Sequence, residues 1–327
     1  MTRALIVGSG GQDGQILTTQ LTAQNVAVVG LQRTRLLAPE GLALAWPKQT
    51  DVTKYDEVEA LVRLVQPEQI YYLAAYHHSS EDLEQDETTL FERSYQVHVQ
   101  GLVNTLEAMR VHSPESRLFY AASSHVFGYP QVPVQDESTP FEPRCAYGIT
   151  KTAGIHACRF YREHRGVYAA VGILYNHESP LRAHKFVSQR IVQGALRVLR
   201  ELSDGESQKL VLGSLASATD WGYAPDYVDA MRRILGSPTP EDFVIATGVR
   251  HTVRDFAEAI FDELGLRWED HVEEQPGLLR KVERTLTGDA SKLRAKTGWQ
   301  PSVTFREMAK ILVRAAQAAQ ANPNPAA

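Results

Sequence analysis

Residues 3–14 read RALIVGSGGQDG, an apolar run that passes into a glycine-rich stretch and then into a helical pattern. The apolar run has the length and composition of a buried strand. The GxxGxxG spacing permits a tight turn and lets a pyrophosphate approach bare backbone at the N-terminus of the following helix. A glycine-rich turn alone need not bind anything, but its position after the first strand favours a dinucleotide site. The cofactor-binding candidates in it are Gly8, Gly11, Gln12, Asp13 and Gly14.

Short apolar runs and helical patterns alternate through the first half of the chain. Strands are predicted at 3–8, 26–31, 70–74, 117–122 and 168–175, and helices at 17–24, 55–66, 89–112 and 147–164. Strands alternating with helices imply a parallel sheet covered on both faces. The fold class is therefore α/β, a doubly wound parallel sheet of the Rossmann type, expected over residues 1–175.

Beyond about residue 176 the alternation loosens. Helices are predicted at 186–202, 226–235, 253–264 and 305–321, and one short strand at 243–246. This half is expected to form a smaller mixed α/β lid over residues 176–320 that binds the substrate, with some segments returning to the first domain. A disordered tail is expected at 321–327.

Composition excludes several classes of protein. Among 327 residues, 34 Lys and Arg stand against 39 Asp and Glu, whereas a general nucleic-acid binder carries a basic surplus. No apolar run reaches the roughly 18 to 20 residues that span a bilayer, and the N-terminus lacks a signal-peptide pattern. Two cysteines are too few for a disulfide scaffold or a Cys-rich metal site. A cytoplasmic protein without metal, nucleic-acid or membrane partners is expected.

The end of the second predicted strand indicates which dinucleotide is bound. An acidic residue there would hold the ribose hydroxyls of NAD, but this chain has Arg33 and Arg35. Guanidinium groups suit a ribose 2′-phosphate because they offer charge and bidentate donors. These residues favour NADP over NAD, and the alternative is a solvated basic loop.

Tyr147 and Lys151 form a YxxxK pair at the start of a predicted helix, where one turn places both side chains on one face. A lysine ammonium beneath a phenol favours phenolate, so we expect Lys151 to lower the pKa of Tyr147 toward that of a general base. Ser123, at the end of the strand RLFYAASS, is placed to hydrogen-bond the same substrate oxygen. Glycine loop, serine, tyrosine and lysine in this order predict a reductase-type active site.

The same order is similar to that of the short-chain dehydrogenase/reductase superfamily. Within its extended branch, longer stretches resemble the GDP-mannose 4,6-dehydratases, and the resemblance runs from Arg3 to near Ala315. These stretches are GSGGQDG at 8–14, YYLAA at 71–75, PFEPRCAYGITK at 140–151, GILYNHESPLR at 172–182, KFVSQRI at 185–191, DWGYAPDYVDAM at 220–231 and DFVIATG at 242–248.

The resemblance implies a reaction on a GDP-linked nucleotide-sugar. Tyr147 would take the C4 hydroxyl proton while NADP⁺ accepts the C4 hydride, water would leave across C5–C6, and the hydride would return to C6. Besides the glycine loop, Tyr147 and Lys151, the implied cofactor contacts are Asp51, Val52, Leu73, Ala74, Ala75, His177 and Arg182. The implied substrate contacts are Ser124, Asn176, Val187, Arg190, Arg280 and Glu283.

The chain departs from this family at its elimination residue. The family has Thr-x-Glu, with the glutamate as acid and base for water loss, where this chain has Ser123, Ser124 and His125. An imidazole can transfer protons near neutral pH, but it differs from glutamate in reach and charge. The alternative is that His125 only shapes the pocket and no elimination occurs. His77 and His78, near the cofactor edge, are candidates to assist or to shape the pocket.

Two further departures concern the phosphates and the assembly. Thr219 stands where the family has an arginine, and a lost charged contact of this kind costs about 1.5 to 3 kcal/mol. The arm after the second strand, which supports tetramers in the family, is short here. A homodimer is therefore expected.

Three functions remain open from the sequence. The first is an NADP-dependent GDP-sugar 4,6-dehydratase. The second is a 4-reductase, 4-dehydrogenase or 4-epimerase on the same substrate class, which needs serine, tyrosine and lysine but no glutamate. The third is a non-catalytic sensor or scaffold, which predicts loss of Tyr147 or Lys151, and both are present.

Overall fold

The computed structural model describes residues 2–33, 35–37, 50–76, 86–205, 208–275 and 286–321, with Arg35 and Leu36 described by their backbone alone. The strands are β1 Arg3–Val7, β2 Ala27–Gln32, β3 Arg35–Leu37, β4 Gln69–Tyr72, β5 Arg117–Ser123, β6 Tyr168–Leu174, β7 Asn176–Glu178, β8 Leu210–Leu212, β9 Ala218–Tyr223, β10 Asp242–Ile245, β11 Arg250–Thr252 and β12 Val272–Glu274.

The helices follow the same chain order. They are α1 Gln12–Thr22, α2 Tyr55–Val65, α3 Glu87–Tyr95, α4 Gly101–His112, α5 Ala146–Arg165, α6 Val187–Ser203, α7 Ala224–Leu235, α8 Val253–Glu263, α9 Trp268–His271, α10 Ser291–Thr297 and α11 Phe305–Ala321. A π-helical segment, Gln96–Gln100, joins α3 to α4, and a 3₁₀ turn, Ser124–Phe127, follows β5.

The main sheet has the strand order β10-β6-β5-β4-β1-β2-β3. Its pairs are parallel except for β3, which returns antiparallel along β2. The parallel strands are apolar almost throughout because helices cover both faces, α2, α4 and α5 forming one layer and α1 and α7 the other. The predicted doubly wound Rossmann fold is confirmed.

The second half of the chain contributes to this sheet. β10 pairs in register with β6, and α7 packs against β5 and β6. Side chains of α7, β10 and α10 belong to the same hydrophobic core as those of β1 and β4. The main sheet is therefore built from two separate stretches of sequence.

The remaining elements pack apart from the main sheet, in the part of the chain where the lid is expected. They form a three-stranded sheet in the order β11-β9-β7, the pair β12-β8, and a second core where α6, α8 and α11 meet. Their strands are three to six residues long, too short for a period of two to stand out in the sequence. No helix within the described ranges has the length and apolar character needed to cross a bilayer.

The start of α1 differs from its predicted position. The helix begins at Gln12, not at residue 17, because it follows the glycine loop directly. Its first turn is polar and contains Gly14, so it lacks the apolar spacing on which the prediction rested.

Candidate active site

The carboxyl ends of β1, β2, β4, β5 and β6 open onto a cleft of about 960 Å³. Ligands of open parallel sheets bind outside this edge. The predicted site residues that line it are Gly8, Gly11, Asp13, Arg33, Asp51, Val52, Leu73, Ala74, Ala75, Ser123, His125, Tyr147, Lys151, Asn176, His177 and Arg182.

The glycine loop has no room for side chains at two positions. Gly8 has φ +99°, and a Cβ there would lie 2.7 Å from the backbone nitrogen of Ala74. A Cβ on Gly14 would lie 2.6 Å from the Cα of Ser9. Gly11 is the N-cap of α1 and brings no side chain to it. The loop thus presents bare backbone at a helix N-terminus, which fits the pyrophosphate of a dinucleotide.

His177 and Asp13 join the lid side of the cleft to the glycine loop. His177 Nδ1 lies 2.6 Å from the carbonyl oxygen of Tyr175, and Nε2 lies 3.0 Å from a carboxylate oxygen of Asp13. Both neighbouring oxygens can only accept, so both ring nitrogens carry protons and the imidazole is a cation. The ring also stacks on Tyr227, with centroids 4.6 Å apart.

The pKa values of this pair agree with that geometry. Burial disfavours both charges, but the Asp13 carboxylate outweighs it and raises the pKa of His177. The His177 cation and hydrogen bonds from His177 and Gln12 likewise hold the pKa of Asp13 below its ordinary value. The result is a partly buried ion pair at the edge of the cleft, with His177 as its more deeply buried member.

Gln12 and Gly14 support the loop and do not line the cleft. The Gln12 amide donates to the carbonyl oxygen of His177 at 3.1 Å and accepts from the Ser179 hydroxyl at 2.9 Å. Gln12 therefore ties α1 to the segment after β6, beside the ion pair.

Arg33 lies at the tip of the β2–β3 hairpin. Gln32 pairs with Arg35 across the hairpin, and Arg33 has φ +41°, in the left-handed region that tight hairpin turns require. Its exposed side chain borders the cleft. The hairpin was not predicted, because β3 is only three residues long.

Asp51 and Val52 are fixed by hydrogen bonds at the cleft edge. The backbone N–H and the hydroxyl of Thr53 donate to Asp51 Oδ1 at 2.9 and 2.8 Å. Asn104 donates to the carbonyl oxygen of Val52 at 2.9 Å. These contacts hold the segment against α4 on the same side of the cleft as the end of β4.

Ser123, Tyr147 and Lys151 converge where β5 ends and α5 begins. The Ser123 hydroxyl hydrogen-bonds Tyr147. Lys151 is 1% exposed, its Nζ donates to the carbonyl oxygen of Ala121 at 2.7 Å, and it lies 5.7 Å from the centroid of the Tyr147 ring. The helical spacing of tyrosine and lysine thus places both side chains in the cleft.

The sequence predicted that Lys151 lowers the pKa of Tyr147, and this prediction is wrong when only the side chains of the protein are considered. Burial raises the pKa of Tyr147 to about 12, although Arg182 and the Ser123 hydrogen bond oppose the rise. Burial also lowers the pKa of Lys151 to about 7, so its charge is lost near neutrality. Removal from water therefore sets the direction of both pKa shifts.

His125 lies beside Tyr147. Their rings meet edge to face with centroids 5.6 Å apart, and the His125 backbone N–H donates to Ser123 Oγ at 3.3 Å. His125 Nδ1 lies 3.7 Å from the sulfur of Cys145, the N-cap residue of α5. An imidazole therefore lies within the group formed by Ser123, Tyr147 and Lys151, at the position where the family resemblance implies an acid or base.

Several predicted substrate contacts do not line this cleft. Ser124 is buried in the 3₁₀ turn, Val187 packs against the lid core, and Arg190 is half-buried in the first turn of α6. The side chain of Arg35 and the residues His77, His78, Arg280, Glu283 and 322–327 lie outside the described residues.

The lining residues that were not predicted include Arg93, Gln96, Val97 and Phe186. The Phe186 ring lies beneath the Arg182 guanidinium at 3.6 Å, and it falls within the KFVSQRI stretch that carried the resemblance. The other three lie on α3 and the π-helical segment. That segment shifts the helical register, so the sequence pattern does not show which face meets the cleft.

The sequence is similar to those of known proteins over most of its length. The model of the family "GDP-mannose 4,6 dehydratase" matches residues 5–312. GDP-mannose 4,6 dehydratase 2 of Arabidopsis thaliana is 36% identical over 328 residues, covering 95% of this chain and 85% of that protein. GDP-mannose 4,6-dehydratase of Vibrio cholerae is 32% identical over 354 residues, covering 95% and 92%.

Solved structures share the fold at lower identity. The UDP-glucose 4-epimerase of Thermotoga maritima with UDP-glucose gives a TM-score of 0.82 at 19% identity, covering 98% of this chain and 100% of that one. The dTDP-glucose 4,6-dehydratase of Bacillus anthracis with NAD gives 0.80 at 17%, covering 98% of each. RMD of Pseudomonas aeruginosa with NADPH gives 0.77 at 20%, covering 97% and 99%.

Proposed function

The chain belongs to the GDP-mannose 4,6 dehydratase family, and on that premise we propose that it is an NADP-dependent dehydratase of a GDP-linked sugar. The main support for the proposal is the family match, which spans residues 5–312. In agreement with it, one cleft of the chain brings Ser123, Tyr147 and Lys151 together. The glycine loop has no space for a side chain at Gly8, and its bare backbone fits a dinucleotide bound beside these three residues. Related folds were solved with NADPH in one case and NAD in another.

The first step is proton removal from the C4 hydroxyl of the sugar. When bound, an oxidised nicotinamide supplies the hydride acceptor for C4, the donor for C6 and a positive charge beside the phenol. Tyr147 takes the hydroxyl proton, and Ser123 donates a hydrogen bond to the same sugar oxygen. Lys151 supports the phenolate from the other side and holds the nicotinamide ribose. Gly8, Gly11, Asp51 and the segment 73–75 bind the rest of the dinucleotide.

The second step is loss of water, and His125 carries it in this proposal. The 4-ketone acidifies C5–H, so a base of ordinary strength can remove that proton. His125 takes the C5 proton and delivers it to the C6 hydroxyl, which leaves as water. As C6 takes back the hydride, the proton that Tyr147 removed in the first step goes to C5, so that the net change is the loss of one water. Its ring next to Tyr147 supports this role. The alternative, a 4-reductase, 4-dehydrogenase or 4-epimerase, follows if this imidazole does not reach C5.

The mass of the product distinguishes these functions. With GDP-mannose and NADP⁺, we expect the sugar nucleotide to lose one water while no NADPH accumulates. His125→Gln, which keeps polarity but removes the titratable ring, should lower the rate of water loss about 10²- to 10⁴-fold. His125→Glu should retain or increase it.

An isomer of unchanged mass, or NADPH accumulating with the oxidised sugar, would establish the alternative instead. A His125→Glu variant that gains water loss when the wild type shows none would mean that this position diverted the chemistry. The residue His164, exposed on α5, provides the matched control as His164→Gln.

The choice of NADP rests on Arg33. We expect Arg33→Ala to weaken NADP⁺ binding by about 1.5 to 3 kcal/mol, roughly 10- to 100-fold, because a charged hydrogen bond to the 2′-phosphate is lost. NAD⁺ binding should change little. Titration of both cofactors calorimetrically measures this, with Arg63→Ala on the exposed side of α2 as the control. An equal loss of affinity for both cofactors would mean that Arg33 supports the hairpin and does not contact the 2′-phosphate.

A homodimer remains a prediction, and we propose α3 and α5 as its surface. α3 exposes Phe91 and Tyr95, 40% and 53% accessible, and α5 beside it exposes Ile149 and Phe160. Large apolar side chains exposed together are typical of interfaces. Sedimentation of the full chain should show a dimer, and Tyr95→Lys a monomer; a wild-type monomer would exclude the proposal.

A further inference from the structure

His98 is a buried histidine next to the catalytic tyrosine that none of the sequence motifs includes. It lies in the π-helical segment between α3 and α4 and is 0% exposed. Its ring meets that of Tyr147 edge to face, with centroids 5.1 Å apart. Insertions of this helical type often occur at functional sites, because they turn one side chain out of the regular register.

Two hydrogen bonds fix the protonation state of His98. The backbone N–H of Tyr76 donates to Nε2 at 2.9 Å, so Nε2 carries no proton. Nδ1 must then carry the proton, and it donates to the Thr150 hydroxyl at 2.8 Å. That hydroxyl in turn donates to the carbonyl oxygen of Ala146 at 2.8 Å. A second proton on Nε2 would oppose the Tyr76 N–H that points at it, so the ring stays neutral.

These bonds connect the two walls of the cleft. Tyr76 lies at the end of the segment 73–76, which lines the cleft beyond β4. Thr150 lies on α5 between Tyr147 and Lys151 and is 2% exposed. His98 therefore spans from the proposed cofactor wall to the helix that carries Tyr147, and its ring packs against the Tyr147 ring.

We propose that His98, in its neutral Nδ1–H form, is a positioning residue that holds the Tyr147 ring at a fixed distance from the cofactor wall. The inference deepens the proposed function, since it takes Tyr147 as the base. A shift of about 1 Å in a catalytic group lowers turnover on the order of 100-fold, whereas substrate contacts elsewhere in the cleft are unaffected. Loss of this positioning should therefore lower kcat and leave KM nearly unchanged.

The first test is His98→Phe, which keeps a ring against Tyr147 and removes both hydrogen bonds. We expect kcat to fall roughly 10- to 100-fold while KM for the sugar nucleotide changes less than about threefold. In a Tyr147→Phe background, the same substitution should have no further effect on the residual rate. An unchanged kcat in the folded variant, or an equal fall in both backgrounds, would overturn the proposal.

Thr150→Val serves if His98→Phe does not fold, because it is nearly isosteric and removes only the hydroxyl that Nδ1–H meets. The same split between kcat and KM is expected, and Thr150→Ser, which retains the hydroxyl, should restore kcat. Thr152→Val, one residue beyond Lys151, is the control on the same helix. A Thr150→Val variant with wild-type kcat would contradict the assigned chain of bonds.

A readout independent of activity separates this inference from the proposed reaction. In the full chain with nitrogen-15 histidine, His98 should show a protonated Nδ1 and an unprotonated Nε2 from about pH 6 to about pH 9. A titrating ring or the other tautomer would overturn it. If His98 shows the expected tautomer but the protein does not dehydrate GDP-mannose, the result contradicts the proposed function and leaves the tautomer assignment intact.

Discussion

Replacing Lys151 by methionine is expected to make the protein more stable at neutral pH while reducing turnover about 10²- to 10⁴-fold. Turnover falls because the proposed contact to the nicotinamide ribose and the support of the Tyr147 phenolate are both lost. Stability rises because the lysine is buried: removal from water lowers its pKa from 10.5 to about 7. A buried methionine has no such cost and fills a similar volume.

The gain in stability should depend on pH in a defined direction. Between about pH 7 and 10.5 the unfolded chain binds a proton at Lys151 that the folded chain does not. The free energy of unfolding of the wild type therefore rises with pH across this window, by at most about 1.4 kcal/mol per unit. At pH 7 the free energy of unfolding of the variant should exceed that of the wild type by on the order of 4 kcal/mol, reduced by the loss of the hydrogen bond to the carbonyl oxygen of Ala121. This difference should shrink as the pH rises.

Urea unfolding at several pH values, together with turnover, measures both effects. Lys310→Met, on the exposed side of α11, is the matched control and should change neither by much. A variant that is less stable than the wild type at pH 7 would mean that the Lys151 ammonium is well compensated in the fold. The low pKa of Lys151 would then be wrong.

Replacing Asp13 by asparagine should destabilise the protein by about 3 to 5 kcal/mol, because it leaves the buried His177 cation without its counter-charge. Asparagine keeps the shape and can still accept one hydrogen bond, so the loss reports mainly on charge. Cofactor binding should weaken as well, since the residue lies in the glycine loop that we propose binds the pyrophosphate.

The pH dependence of this loss follows from the two pKa shifts. The raised pKa of His177 gives stability that is complete below about pH 6.5 and is lost as the pH rises through its folded value. The lowered pKa of Asp13 gives stability that is complete above about pH 3.8 and is lost as the pH falls through its folded value. The difference between wild type and variant should therefore be largest between these limits.

Chemical unfolding of Asp13→Asn from acidic to alkaline pH tests this, with Asp56→Asn on the surface of α2 as the control. A difference that does not vary with pH would argue against an ion pair, and would assign the loss to loop packing alone.

The features that the sequence predicted correctly depend on local constraints. The glycine loop follows from backbone sterics at Gly8 and Gly14, and the pair Tyr147 and Lys151 follows from helical spacing. Long strands such as β5 and β6 are apolar along their whole length because both faces are covered, so they stand out in the sequence.

The features that it did not predict depend on contacts between distant segments. β7, β9 and β11 are short strands that pair with one another across large separations in sequence, and the π-helical insertion before α4 leaves no trace in the apolar pattern. The pKa of Tyr147 was expected to fall because the spacing shows a neighbouring lysine, but spacing does not show how deeply both groups are buried. Burial decided the direction of both shifts.

The pairing of β10 with β6 has a consequence for how the chain is made. A ribosome delivers β6 long before β10, so the growing polypeptide carries an apolar strand with one unpaired edge while the lid residues are being synthesised. Open edges of this kind recruit strands from other molecules. Nascent chains halted between residues 175 and 242 should be those most in need of a chaperone, and release from that need should coincide with the emergence of β10.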